Sequence, residues 1–381
     1  MSGRREIAVL LLAGGLVHCG GGASDTTHPD GSAPKPDAST SREAGVDSGH
    51  VTHHPDSAVK DAPVARDAAP LDGGVIDASD ADAAPFPCGT RTGMRGLTSR
   101  SVVVDGKTRT YLIYLPASFD PTTPIPFVFV FHGFTMSGRG MYDITQYAAL
   151  ADTEGIGLAF PDGEGGPDSL AAPWNVANPG QVLCGDGELA IATGDDFGFI
   201  DAMKVDVAKD QCLDTAHTFS TGFSMGGYFT EHIGCYRSDM RALAPHSGGT
   251  IDSLASCTTG HIPIIIFHGV ADPVIDDACD DPNVPPDTDF PPSATLWAAK
   301  NGCQPTFTTM PTDSDAGGTG QCYLYDGCPA DGQVELCTFN GMVHCWAGGS
   351  KGGDAGEGGN ACPTYASATQ LEWSFFKQYA W

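Results

Sequence analysis

The stretch His217-Thr218-Phe219-Ser220-Thr221-Gly222-Phe223-Ser224-Met225-Gly226-Gly227 changes texture twice within eleven residues. A β-branched and aromatic run leads in, and Tyr228, Ile233 and Cys235 follow at helical spacing. The spacing predicts a strand over Ala216–Thr221, a sharp turn, and a helix over Met225–Cys235. Gly222, Gly226 and Gly227 suit such a turn, because neighbouring backbone must come close there. Ser224 is thereby lifted above the sheet, beside a helix N-terminus that favours developing negative charge. Gly222-Phe223-Ser224-Met225-Gly226 fits G-x-S-x-G in the strand–turn–helix context that gives the pattern meaning.

Outward from this turn, short apolar runs alternate with helical stretches. Pro126–Phe131, Gly157–Phe160, Ala242–Ala244, Ile262–Phe267 and Val334–Phe339 read as strands. Val102–Asp105 and Thr108–Leu115 read as strands around Gly106-Lys107. Phe197–Val207, Ser293–Asn301 and Ala366–Gln378 read as helices. The alternation predicts an α/β fold: a mostly parallel central sheet with helices on both faces.

A serine nucleophile needs a base and an orienting carboxylate, and after G-x-S-x-G they follow in the order Asp then His. Asp272 stands just past the apolar run that ends at Phe267, at the active edge of a parallel sheet. Asp276 and Asp277 are the fallback acids. His344 is the single histidine after Asp272 and follows a strand-like run, so it is the expected base. His268 competes, but a histidine at a strand end more often packs or caps. His132, His232, His246 and His261 are read as structural. The first oxyanion donor is the N–H of Met225, after the nucleophile. The second is the N–H of Phe134, with Thr135 as alternative, because Phe127–Phe131 runs into His132-Gly133 upstream of the turn.

Seven landmarks in order carry a resemblance. They are Phe131-His132-Gly133, Trp174-Asn175, Asp195-Asp196-Phe197-Gly198-Phe199, Thr221–Gly227, His268–Pro273, Asn301-Gly302-Cys303 and His344-Cys345-Trp346. From about residue 88 onward the chain resembles the secreted esterases that include feruloyl esterases and polyhydroxybutyrate depolymerases. The resemblance implies an α/β-hydrolase fold and a Ser224–Asp272–His344 triad in a serine carboxylic-ester hydrolase. A feruloyl-type ester on plant polysaccharide is the expected substrate. A polyhydroxybutyrate depolymerase, or a surface-binding protein that kept the fold and lost catalysis, is the alternative. Trp174 and Trp346 are candidates for stacking on a substrate ring. Val176–Thr193 and the acidic Asp276–Pro292 depart from the family pattern.

Thirteen cysteines and a net charge of −28 bound the rest. That charge argues against nucleic acid as partner. Arg4 and Arg5 precede an apolar run of about 11 residues, too short for a bilayer, which needs roughly 20. The run ends at Leu16-Val17-His18-Cys19, which resembles a bacterial lipoprotein signal despite His18 where a small residue is usual. Residues 1–19 are therefore expected to be a signal ending at a lipidated Cys19, on a secreted or surface-anchored bacterial protein. Residues 20–86, with twelve acidic and four basic residues and only Phe86 as an aromatic, read as a disordered tether. His28, His50, His53 and His54 in it read as solvated filler. Residues 87–381 are expected to be the esterase domain.

Twelve cysteines can then pair, as suits an oxidising compartment. The expected pairs are Cys235–Cys257, Cys184–Cys212 and Cys303–Cys328, with Cys345 in a bridge that pins the base loop. None forms a paired CxxC array, so neither zinc nor another cofactor is expected. Asp276, Asp277, Asp280, Asp281, Asp287 and Asp289 match no calcium loop spacing. Gly348–Gly359 carries acids and lacks a preceding strand, so it is not a phosphate cradle.

Overall fold

A computed structural model describes residues 93–169, 172–176, 192–249, 254–272, 274, 292–311, 320–350 and 366–380. All lie in the second of two units, Met1–Arg66 and Asp67–Trp381. Cys19, the 20–86 tether with its histidines, Cys88, Cys184, Cys279, Cys362, the acids from Asp276 to Asp289, and most of Gly348–Gly359 lie outside the described residues.

The chain runs β1 (Gly96–Val104), β2 (Lys107–Leu115), β3 (Ile125–Phe131), α1 (Gly138–Thr145), α2 (Tyr147–Glu154), β4 (Gly157–Pro161), α3 (Asp196–Asp210), β5 (Leu213–Phe223), α4 (Met225–Tyr236) and β6 (Ala242–His246). It continues through β7 (Ile264–Gly269), α5 (Pro292–Lys300), β8 (Phe307–Pro311), β9 (Gln321–Tyr325), β10 (Val334–Phe339) and α6 (Ala368–Phe376). These strands form one sheet of ten in the order β1-β2-β4-β3-β5-β6-β7-β10-β9-β8. The six central strands, β4, β3, β5, β6, β7 and β10, pair in parallel. The outer pairings are antiparallel. This is the mostly parallel α/β-hydrolase sheet expected.

Parallel strands covered on both faces read as continuous apolar runs, and every residue of β3 is buried. Its side chains alternate between two cores. Phe127, Phe129 and Phe131 join residues of α3, α4 and α5, including Phe199, Phe229 and Trp297. Val128 and Val130 join residues of α1, α2 and α6, including Met141, Tyr147 and Phe376.

From β3 the chain steps to β4 on one side, then crosses back to β5 on the other. The reversal leaves a crevice outside the C-terminal ends of β3 and β5, where α/β sheets place their ligand sites. His132-Gly133 leaves β3 there and Ser224 leaves β5.

The spacing of the sequence misses four elements. Gly138 and Gly140 weaken the helical signal of α1, yet a Cβ at Gly138 would stand 2.2 Å from the Phe160 carbonyl oxygen. The Ser137 side chain caps this helix by accepting from the Gly140 N–H. A single residue, Gln146, in left-handed conformation joins α1 to α2. β8 and β9 are five-residue outer strands, where burial on two faces is not required.

Cys235–Cys257 and Cys303–Cys328 are bridged as expected. Cys322–Cys337 joins β9 to β10 and lies outside the expected pairs. Each closed loop contributes about 3 kcal/mol. Cys212 is also disulfide-bonded, while Cys345 belongs to none of these three bridges. Among the described residues, no helix is long and apolar enough to cross a membrane.

Glu372, fully buried on α6, ties the second core together. The Tyr147 hydroxyl donates to its Oε2 at 2.5 Å, and Thr221 Oγ1 lies 3.1 Å from its Oε1. Thr221 has one hydroxyl proton, and the Ala244 carbonyl at 2.7 Å takes it. One proton cannot serve both contacts fully, which favours a neutral carboxyl over a carboxylate. Burial, the largest effect, accordingly pushes the Glu372 carboxyl well above its usual range. Unfolded, it ionises near the ordinary value of about 4.3. Stability from this group is complete below that pH and is lost as pH rises toward the folded value, at up to about 1.4 kcal/mol per pH unit. Glu372→Gln keeps one donor and one acceptor without a titratable proton. Urea denaturation at pH 5 and pH 8 should therefore show its stability relative to wild type rising with pH; a constant difference would contradict a neutral Glu372.

Candidate active site

Ser224 sits between β5 and α4 with φ 56° and ψ −120°, a conformation costly for a side-chain-bearing residue. Its surroundings hold it there. The Ser224 N–H donates to the His246 carbonyl at 2.9 Å, and its own carbonyl accepts from Gly227 and Tyr228. A Cβ on Gly222 would meet the Gly226 carbonyl oxygen at 2.2 Å, and one on Gly226 would meet that of Phe131 at the same distance. The turn closes this tightly only with glycine at both positions.

The structure brings Ser224, His344 and Asp272 together. His344 follows β10 and Asp272 follows β7, its parallel neighbour. His344 Nε2 lies 2.9 Å from Ser224 Oγ, and its Nδ1 lies 2.8 Å from Asp272 Oδ2. The Asp272 side chain is fully shielded from solvent, whereas that of His344 keeps 15% exposure. Asp272 Oδ1 accepts from the Val274 N–H at 2.9 Å, so both carboxylate oxygens are occupied. An imidazole donating from Nδ1 to Asp272 presents Nε2 as an acceptor toward the serine hydroxyl. The Phe223 ring packs 4.7 Å from the His344 ring.

His132-Gly133 lies against the serine, since a Cβ on Gly133 would stand 3.1 Å from Ser224 Cβ. The chain then turns: the Met136 N–H donates to the Gly133 carbonyl at 3.1 Å, with Thr135 at φ 64°. Such a turn leaves the N–H groups of its central residues, Phe134 and Thr135, unbonded within it. Met225 is the first residue of α4, where N–H groups lack an intrahelical acceptor. His132 is wholly buried and clamps the loop: its Nε2 accepts from the Gly163 N–H at 2.8 Å and its Nδ1 donates to the Gly133 carbonyl at 2.7 Å. Burial pulls its pKa down to about 4, keeping it neutral. His246 is likewise wholly buried, at the end of β6.

The two tryptophans need correction. Trp174 is 1% exposed, stacks on Phe229, and donates from its indole to the His132 carbonyl at 2.8 Å. Trp346 is also 1% exposed, stacks on His246, and donates to Thr369 Oγ1. Their faces are used inside the core, so neither is available to stack on a substrate. The neighbouring landmarks are structural too. Asp195 caps α3 through the Gly198 N–H. Asp196 pairs with buried Arg109 at 2.7 Å and accepts from the Asn175 N–H. Cys322, Glu335 and Cys337 approach one another closely enough for a metal, but the two sulfurs are joined to each other, leaving one carboxylate.

No family model matches the chain. Among solved structures it is similar to an acetyl xylan esterase from Aspergillus awamori, with TM-score 0.48, 15% identity, and coverage of 74% of this chain and 99% of that one. Among curated proteins, feruloyl esterase C of Emericella nidulans is 29% identical over 278 residues, covering 70% of this chain and 83% of the relative. Feruloyl esterase D of Neurospora crassa is 28% identical, covering 67% and 81%. Feruloyl esterase B of Piromyces equi is 27% identical, and the match spans 65% of this chain but only 44% of that protein. With its parallel sheet and its serine turn at the end of β5, the chain has the α/β-hydrolase fold and is similar in sequence to these feruloyl esterases.

Proposed function

We propose that the chain is a serine carboxylic-ester hydrolase that releases hydroxycinnamic acids from plant cell-wall polysaccharide. The hydrogen-bonded series Ser224–His344–Asp272, at 2.9 and 2.8 Å, carries this reading. Ser224 Oγ attacks the ester carbonyl carbon while His344 Nε2 takes its proton. Asp272 holds the imidazole in the Nδ1–H tautomer and stabilises the imidazolium that forms. The Met225 and Phe134 N–H groups donate to the tetrahedral oxyanion, and each such donor is worth about 10²–10³-fold in rate. His344 returns its proton to the departing alkoxide. Water, deprotonated by the same imidazole, then attacks the acyl-enzyme and frees the acid and Ser224.

The relatives named above are feruloyl esterases, which favours a hydroxycinnamate over a polyhydroxyalkanoate as the acyl group. Disulfides at Cys235–Cys257, Cys303–Cys328 and Cys322–Cys337 suit an oxidising compartment. With the signal read at Leu16–Cys19, the catalytic part from residue 87 onward works outside the cytoplasm, on the 20–86 tether, secreted or anchored through Cys19.

Steady-state hydrolysis of methyl ferulate tests the chemistry. Ser224→Ala should lower kcat by about 10⁴–10⁶-fold, and Asp272→Asn by about 10⁴-fold through the wrong tautomer; wild-type rates in Ser224→Ala would sink the serine mechanism. Substrate class is tested with a polyhydroxybutyrate film beside methyl ferulate: clearing of the film without ferulate release would reverse the assignment. For the anchor, Cys19→Ser should move the protein from the membrane fraction to the soluble one, and unchanged fractionation would reject lipidation.

A further inference from the structure

The residue that closes β6 is bonded to the proposed nucleophile and to the loop that carries the proposed base. The His246 carbonyl accepts the Ser224 N–H at 2.9 Å. Its ring Nε2 accepts the Ala347 N–H at 3.0 Å, three residues beyond His344. Backbone and side chain of one residue therefore hold the nucleophile and the base loop at a fixed separation.

The ring is built into place. It stacks on Trp346 at 4.7 Å and on Phe267 at 5.8 Å, and it meets Phe223 edge-on at 5.7 Å. Phe223 in turn packs against the His344 ring. Because Nε2 accepts, a neutral ring carries its proton on Nδ1, which faces Ser247 Oγ at 3.1 Å. Ser247 is itself held at φ 48°, its N–H donating to the Phe267 carbonyl. Ala347 is fully buried, so loss of the imidazole acceptor leaves its N–H unsatisfied, a destabilised state from which the loop escapes by moving.

We infer that His246 is a positioning residue: through the Ala347 N–H it sets the distance between His344 Nε2 and Ser224 Oγ. The inference rests on the serine-hydrolase reading. It adds that the geometry of the pair is fixed from β6, the strand between those that carry Ser224 and Asp272, as well as by Asp272.

Two variants separate the hydrogen bond from the packing. His246→Phe keeps a flat ring against Trp346 but removes the acceptor. His246→Gln gives up the ring but offers an amide oxygen to Ala347. With the full chain and p-nitrophenyl acetate, His246→Phe should lower kcat about 10²-fold, the loss expected of a misplacement near 1 Å, with KM changed less than about threefold. His246→Gln should recover about tenfold of that loss. A His246→Phe kcat within twofold of wild type would overturn the inference, as would equal kcat losses in both variants, which mark a packing role alone. If His246→Phe fails to fold, the ¹⁵N shifts of the wild-type His246 ring decide: an unprotonated Nε2 at neutral pH is expected, and a protonated one overturns the inference. Ser224→Ala measured alongside separates the two readings. Wild-type activity in Ser224→Ala defeats the hydrolase mechanism itself, whereas an inactive Ser224→Ala with a normal His246→Phe defeats only the role of His246.

Discussion

The site depends on a backbone constraint at one residue. Ser224 is held at φ 56°, a state that costs of order 1–3 kcal/mol and persists only where the surroundings over-determine it. Here they do so through the hydrogen bond to the His246 carbonyl, the first turn of α4, and two glycines without which the backbone could not approach so closely. The same constraint aims the Oγ out of the sheet and leaves the Met225 N–H at a helix start. The position of the hydroxyl and of one donor beside it are thus consequences of a single turn.

Sheet topology supplies the rest. The reversal between β3 and β5 opens the crevice, and every residue proposed for chemistry leaves the C-terminal end of a central parallel strand. Two buried, neutral histidines hold loops at this rim by accepting backbone N–H groups. His132 anchors the loop after β3 to Gly163, and His246 anchors the loop after β10 to Ala347. Burial lowers the pKa of each, to about 4 and about 3. That shift keeps each ring neutral, with one acceptor nitrogen, at neutral pH, so burial here serves hydrogen-bonding direction.

Much of this was legible in the sequence because the signals are local. A continuous apolar run such as Phe127–Phe131 reads as a buried parallel strand, since both faces of it must be covered. Gly222, Gly226 and Gly227 around Ser224 mark the tight turn. Chain order pointed to Asp272 and His344. The helices α1 and α2 and the strands β8 and β9 are too short to show a clear period, and Gly138 and Gly140 weaken α1 further. Trp174 and Trp346 are candidates for ring stacking in the sequence, and the structure packs both inside the core. A tryptophan looks the same in sequence whether its faces meet a ligand or a core, and only packing against Phe229 and His246 distinguishes the two.

The sequence by itself determined the alternation of strands and helices and the serine turn, because each depends on residues within a few positions of one another, and it carries the order of Asp272 and His344 along the chain. Tertiary structure alone decided that Asp272, His344 and Ser224 meet within 2.9 Å. It also decided that Glu372 sits beneath Thr221 and Tyr147, and that His246 spans from the serine to the base loop. Those contacts join residues 22 to 225 positions apart, and their distances follow from how β5, β6, β7 and β10 lie side by side, which no local pattern encodes.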